Sequence, residues 1–269
     1  MSKDADELEH FLAEQLREQV GNLMAASQLL APVIREQENR HYDQYMAILN
    51  QSLYRLLHLA EHADLARRER RGDKLELHPV LLELEPLCRE LCQKVTGASA
   101  PLHVDFRWEW DGREAAVLGD PVLLRRMLLN LMANALHAVG NGGQAGLRLS
   151  TEGRNVRLTV WNSGEDTALP GPKSPEILGD WEEGSGIKKR LGVDLAREVA
   201  ECHEGRLVFE QGERRGLRAV VSLPVADETE ATALRTPRMG YDPTGGFSQM
   251  LVELSDVLPF EAYLPEDVE

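Results

Sequence analysis

Near residue 74 the spacing of apolar side chains changes from the helical period to the strand period, and that change divides the chain. Before it, residues 5 to 34 set Leu8, Phe11, Leu12, Leu16, Val20, Leu23, Met24, Leu30 and Ile34 along one stripe of a long helix, with Pro32 near its end. Residues 42 to 68 repeat the pattern through Tyr45, Ile48, Leu49, Leu53, Leu56, Leu57, Leu59 and Leu65, after a polar connector near REQENRH. Two stripes joined by a short loop predict an antiparallel helical hairpin over 5–71. A lone hairpin buries only its inner seam, so the outer apolar positions predict a second copy and a four-helix bundle.

After the charged hinge RRERRGDK the texture predicts a new domain over 74–225. LELHPV, LHVDFRWEW and AAVL read as strands around a helix at 80 to 95. Asp120-Pro121 then supplies a cap and a first-turn proline for an apolar helix that runs to Val139 and stops at Gly140-Asn141-Gly142-Gly143. AGLRLST and NVRLTVWN follow as strands across the turn EGR, and LGVDLAREVAECH as a helix. RLVFEQ and LRAVVSLP close the pattern as a hairpin across GERRG. Residues 164 to 190, rich in Gly, Pro and acid, read as a long loop with Leu191 opening the next helix. From 226 to 269 a polar run leads to one short amphipathic piece, FSQMLVELSDVL, which is expected to dock on the chain's own domain or, in the second reading, on a partner.

The charge balance removes one class of function. Asp and Glu number 45 against 30 Lys and Arg, a formal charge of −15, and no basic face offsets it, so a phosphate backbone is not an expected partner. No stretch approaches the roughly 18 apolar residues of a bilayer span, and the acidic start MSKDADELEH has no signal core, which predicts a cytoplasmic protein. Three cysteines make no disulfide framework; Cys88 and Cys92, four apart on a helix, read as reduced packing residues. His58 and His62 share metal-compatible spacing but offer two ligands and no HExxH pattern, so they read as surface histidines.

Asn130 and Asn134, in LLNLMANALHAV, lie four apart and share a face of an otherwise apolar helix, where two amides need partners. Downstream come VWNSG at a strand end, a loop with GSG, and LGVDLAREVAECHEGRL. In this order the segments resemble the ATP-binding domain of the histidine kinases, members of the GHKL superfamily. NLMANALHA looks like their N box, VWNSG and GSGI like their glycine boxes, and VVSLP like their closing strand. The hairpin in front is similar to the family's dimerisation and phosphoacceptor segment, with FLAEQLREQVGNL at the signature position. The implied fold class is α+β, a two-helix hairpin followed by a Bergerat-type GHKL α/β sandwich.

That resemblance implies ATP and Mg²⁺ as cofactors. It makes Asn134 the metal ligand, and Asn130, His137, Asn162, Gly164, Gly184, Ser185, Gly186, Lys188 and Gly192 the remaining ATP-binding residues. Asn130 stands where water-activating relatives carry a glutamate base, and an amide cannot accept a proton at neutral pH. Asn162 stands where most members have an aspartate that accepts from the adenine amine. Its amide still accepts, at a cost of about 1 kcal/mol in charge assistance.

The same alignment puts Glu14 at the acceptor position and Gln15 beside it. A carboxylate offers no nitrogen nucleophile, so autophosphorylation there is not expected, and His10, one turn earlier, lacks the adjacent acid. The catalytic residue is thus unassigned. The expected function is histidine-kinase-like, two-component signalling by a Mg-ATP-binding homodimer, with a response regulator or another signalling protein as partner. Two alternatives stay open: an active protein kinase acting on a partner's residue, and an interaction module without nucleotide.

Overall fold

The computed structural model describes residues 16, 20, 21, 23, 24, 27, 30, 40–73, 75–140, 142–163, 183–211, 216–226 and 247–264. They fall into two compact units, one spanning 75–243 and the other combining 1–74 with 244–269.

In the first of these, five strands form a sheet in the order β2-β4-β5-β7-β6, where β2 is Val104–Trp110, β4 Gly143–Glu152, β5 Asn155–Asn162, β6 Arg206–Gln211 and β7 Leu217–Pro224. A separate two-stranded pair joins β1 (Val80–Glu83) to β3 (Ala116–Gly119). Helices α2 (Leu84–Ala98), α3 (Pro121–Val139) and α4 (Glu183–Cys202) pack on the sheet, α2 over β2 and β4, α3 over β4 and β5, α4 over β6 and β7. Among the described strands only β2 and β4 run parallel. Such a pair needs a crossover connection, and α3 lies within it.

The alternation in the strands fixes which side the helices cover. Along β5, Val156, Leu158, Val160 and Asn162 are buried while Arg157, Thr159 and Trp161 are half-exposed. Helix α2 meets this side with Leu84, Leu87, Cys88, Leu91, Cys92 and Val95, and α3 with Leu124, Met127, Leu128, Leu131, Met132 and Leu136. The strands expected at AGLRLST, NVRLTVWN, RLVFEQ and LRAVVSLP are β4 to β7. At the start of the unit the expectation needs correcting: residues 75–79 are irregular, the strand is Val80–Glu83, and the helix begins at Leu84. Pairing with β3 holds Val80–Glu83 extended, through the register Val80 to Gly119 and Leu82 to Val117.

Helix α3 begins where its sequence says it should. Asp120 Oδ1 accepts from the backbone N–H of Val122 and Leu123, at 2.9 and 3.2 Å. Its Oδ2 accepts from the N–H of His78 at 3.0 Å, tying the incoming chain to the same cap. The Asp120 N–H in turn donates to Nε2 of buried His203 at 2.9 Å, whose Nδ1 lies 2.7 Å from the Val199 carbonyl. One imidazole therefore links the start of α3 to the end of α4.

The second unit is built on α1 (Arg40–Arg71). Residues 16, 20, 21, 23, 24, 27 and 30 are helical; Val20 and Met24 are buried, and Ser27 Oγ donates to Asn50 Oδ1 at 2.7 Å. The amphipathic piece near the end of the chain forms a short helix, α5 (Gln249–Glu253), and a 3-10 turn, Phe260–Tyr263, both packed on α1. Asn50 Nδ2 donates to the Tyr263 carbonyl at 3.1 Å, Gln51 Nε2 to Leu258 at 2.7 Å and Arg55 Nε to Ser255 at 3.0 Å. His58 and His62 are 5% and 3% exposed, so the expectation of surface histidines fails: the closing segment covers them.

Candidate nucleotide site

Helix α3 carries its polar residues on one stripe that opens toward solvent along its length. Asn130 is buried, Asn134 half-buried and His137 exposed. Asn130 Nδ2 donates to the Arg126 carbonyl one turn back at 3.1 Å. Its Oδ1 lies only 2.5 Å from where a Cβ on Gly192 would sit, so the missing side chain lets α4 lie directly against this amide. That contact brings together NLMANALHA and LGVDLAREVAECH, segments about sixty residues apart in sequence.

Asn162 ends β5 on the side the helices cover, and its place is set from two directions. Ser163 extends the antiparallel pairing, its N–H donating to the Gln144 carbonyl at 2.7 Å while its Oγ accepts from the Gln144 N–H at 2.9 Å. On the other flank Gly216 packs so tightly on the Asn162 carbonyl that no side chain fits there. The role of Gly216 was hidden in the sequence, where GERRG reads only as a turn. Asn162 itself is 6% exposed, and its Nδ2 has no hydrogen-bond partner. A buried amide N–H left unpaired costs about 1–3 kcal/mol, so this strand end is built at a cost that a hydrogen-bonding ligand would offset.

The helix expected to open at Leu191 begins earlier, at Glu183, inside the stretch that reads as a loop over 164–190. Apolar residues recur four apart at 187, 191, 195 and 199, continuing the helical stripe backwards through the glycines. Each glycine weakens the helix by roughly 1 kcal/mol relative to alanine, which the stripe outweighs. Gly184, Ser185 and Gly186 are therefore in the first turn, and Lys188-Lys189-Arg190 lie inside the helix instead of ahead of it. Gly164, His10, Glu14 and Gln15 lie outside the described residues.

Comparison with known proteins agrees with this arrangement. Residues 119–227 match the family described as histidine kinase-, DNA gyrase B-, and HSP90-like ATPase, a span from the end of β3 to just beyond β7. Sensor histidine kinase GlrK of Escherichia coli is 27% identical over 218 residues, 78% of this chain and 43% of that protein. Sensor protein kinase PmrB of Pseudomonas aeruginosa is 26% identical over 235 residues, 86% of this chain and 47% of that protein. The chain thus spans a little under half the length of these relatives. In fold it resembles full-length ShkA, solved in complex with AMPPNP, at a TM-score of 0.54 and 21% identity, covering 79% of this chain and 46% of that one. Sheet, helices and the order of the boxes agree with one reading: residues 119–227 match an ATPase-type domain of that family, and the chain over most of its length is similar to sensor histidine kinases.

Proposed function

We propose that the α/β unit binds Mg-ATP between α3, the end of β5 and the start of α4, and that nucleotide binding governs signalling through a homodimer. The observation that carries the reading is the unpartnered, buried Nδ2 of Asn162. An amide offers one donor and one acceptor in a plane, the complement of an adenine edge with its exocyclic amine and adjacent ring nitrogen. Where an aspartate could only accept, Asn162 pairs with both.

Asn134 is assigned to the magnesium ion through its side-chain oxygen, a hard donor suited to a hard cation, and its half-buried position leaves that oxygen within reach of a ligand. The first four N–H groups of α4, from Glu183 to Gly186, lack partners within the helix and point along its positive end. We assign the phosphates to them, with Gly192 and His137 nearby and Asn130 holding α3 against α4, and the resemblance adds Gly164, Ser185 and Lys188 to the same set. Bound Mg-ATP would supply a transferable phosphoryl group with its charge partly neutralised. With Asn130 in place of a carboxylate, this chain has no base there to activate water.

The dimer reading rests on α1. Tyr45, Ile48, Leu49, Leu56 and Leu59 are exposed along one stripe, and Leu23 and Leu30 are exposed on the preceding helical residues. Apolar surface at helical spacing is what a four-helix bundle between two copies would cover. Among the described residues no helix is long and apolar enough to cross a membrane. Glu14 at the acceptor position supports a chain that signals by binding and contact rather than by phosphorylating itself. A response regulator or another signalling protein is the proposed partner.

Calorimetric titration of the full chain with ATP and magnesium tests the reading. Saturable binding near one nucleotide per chain is expected, and heat no greater than buffer up to millimolar ATP would overturn it. Labelled ATP separates the kinase alternative, since label transferred to an added partner would mark an active enzyme.

A further inference from the structure

The unit built on α1 encloses a group of side chains that nucleotide binding does not use. His58 and His62 lie four apart and share one face of α1, and Glu253, the last residue of α5, comes down onto them. All three are buried, the Glu253 side chain completely. One ligand atom from each falls within 4.8 Å of the others, and the two imidazole rings meet edge to face with centroids 4.1 Å apart.

The His58–Glu253 separation suits a shared ion as well as it suits an ion pair. His58 Nε2 stands 3.5 Å from Glu253 Oε2, too long for a good hydrogen bond, and neither ring nitrogen of His58 makes one. Two ligands at about 2.0–2.1 Å from a tetrahedral ion are themselves about 3.3 Å apart, close to this separation. The other ring nitrogen of His58, Nδ1, faces Asp256 Oδ2 at 3.5 Å. At that distance the carboxylate acts on the ring by its charge rather than by a hydrogen bond, favouring the proton on Nδ1 and so leaving Nε2 as the ligating atom.

We propose that His58, His62 and Glu253 bind a Zn²⁺ ion, with Asp256 orienting His58, and that the ion clasps the closing segment of the chain onto α1. Two imidazoles and one carboxylate suit a borderline ion such as zinc, and three protein ligands leave a fourth position for water. Two carboxylates, Glu253 and Asp256, face the His58 ring from either side. Sites on regular elements are held more precisely than sites on loops, and this one stands on a long helix and on a segment pinned to it by Asn50, Gln51 and Arg55.

The test uses the full chain stripped with chelator and titrated with ZnCl₂ by calorimetry, with Co²⁺ as a spectroscopic substitute. One Zn²⁺ per chain is expected, together with the strong visible bands of tetrahedral Co²⁺ and a rise in Tm on adding zinc. His62→Gln and Glu253→Gln, each checked for native circular dichroism, should weaken binding at least about tenfold, while His103→Gln, on the exposed turn before β2, leaves it unchanged. No binding by the stripped wild-type chain would overturn the site. So would affinity that is unchanged in folded His62→Gln and Glu253→Gln, since the ion would then be held elsewhere.

Discussion

The Oδ1 of Asn130 on α3 lies 2.5 Å from the position a Cβ would take on Gly192 of α4, so these helices touch through an amide and a bare backbone. Gly192→Ala therefore tests whether the contact matters. In an isolated helix the change would stabilise by about 1 kcal/mol. Here the methyl has to displace the Asn130 amide, which is held by the Arg126 carbonyl, and a net loss of about 1–3 kcal/mol is expected, with weaker ATP binding. Urea denaturation reads the sign, and a stabilised variant would show that the helices are not so close.

Asn162 is the residue assigned to adenine. Asn162→Ala removes a donor and an acceptor in a buried place, and a loss of about 1.4 kcal/mol, tenfold in Kd, is expected. Asn162→Asp restores a charged acceptor for the exocyclic amine and should bind ATP about tenfold more tightly than the alanine variant. Competition against a fluorescent ATP analogue measures both.

Asp120 accepts three backbone N–H groups, two at the start of α3 and one from His78. Asp120→Ala leaves them without a partner and should lower stability by about 1–2 kcal/mol, the upper part of the range for a lost cap. Asp120→Asn keeps one acceptor oxygen and should fall between. Equal midpoints for all three proteins in urea would contradict this role.

Thiol reactivity distinguishes the three cysteines. Burial, with Cys92 and Glu85 nearby, pushes the Cys88 thiol well above its ordinary value, and burial pushes Cys92 up to about 12. Both remain protonated at pH 8, and the thiolate is the reactive species. An alkylating reagent should label one thiol per chain, half-exposed Cys202, and reach the other two only after unfolding. Mass spectrometry of native and denatured protein gives the count.

What was legible in the sequence followed from local rules. Asp120-Pro121 announced α3 because a side-chain cap and a first-turn proline act within three residues, and the alternation in NVRLTVWN announced β5 because its period is two. The start of α4 was misplaced because Gly184 and Gly186 signal a loop more loudly than a stripe of residues four apart signals a helix. Gly216 beneath Asn162, and Glu253 above His58 and His62, were invisible for a different reason. They join positions about 54 and 195 residues apart, and only the folded chain shows such pairs. The pair of amides in LLNLMANALHAV was legible as a site because polar residues on an apolar helix have to be accounted for.

Magnesium coupling at Asn134 tests the central claim most directly. In wild-type chain, ATP should bind more tightly with magnesium than with excess EDTA, and Asn134→Ala should bind in magnesium about as weakly as wild type does without it. A variant that keeps the full gain from magnesium, or a wild-type chain whose affinity ignores the ion, would contradict the assignment of α3 to the nucleotide.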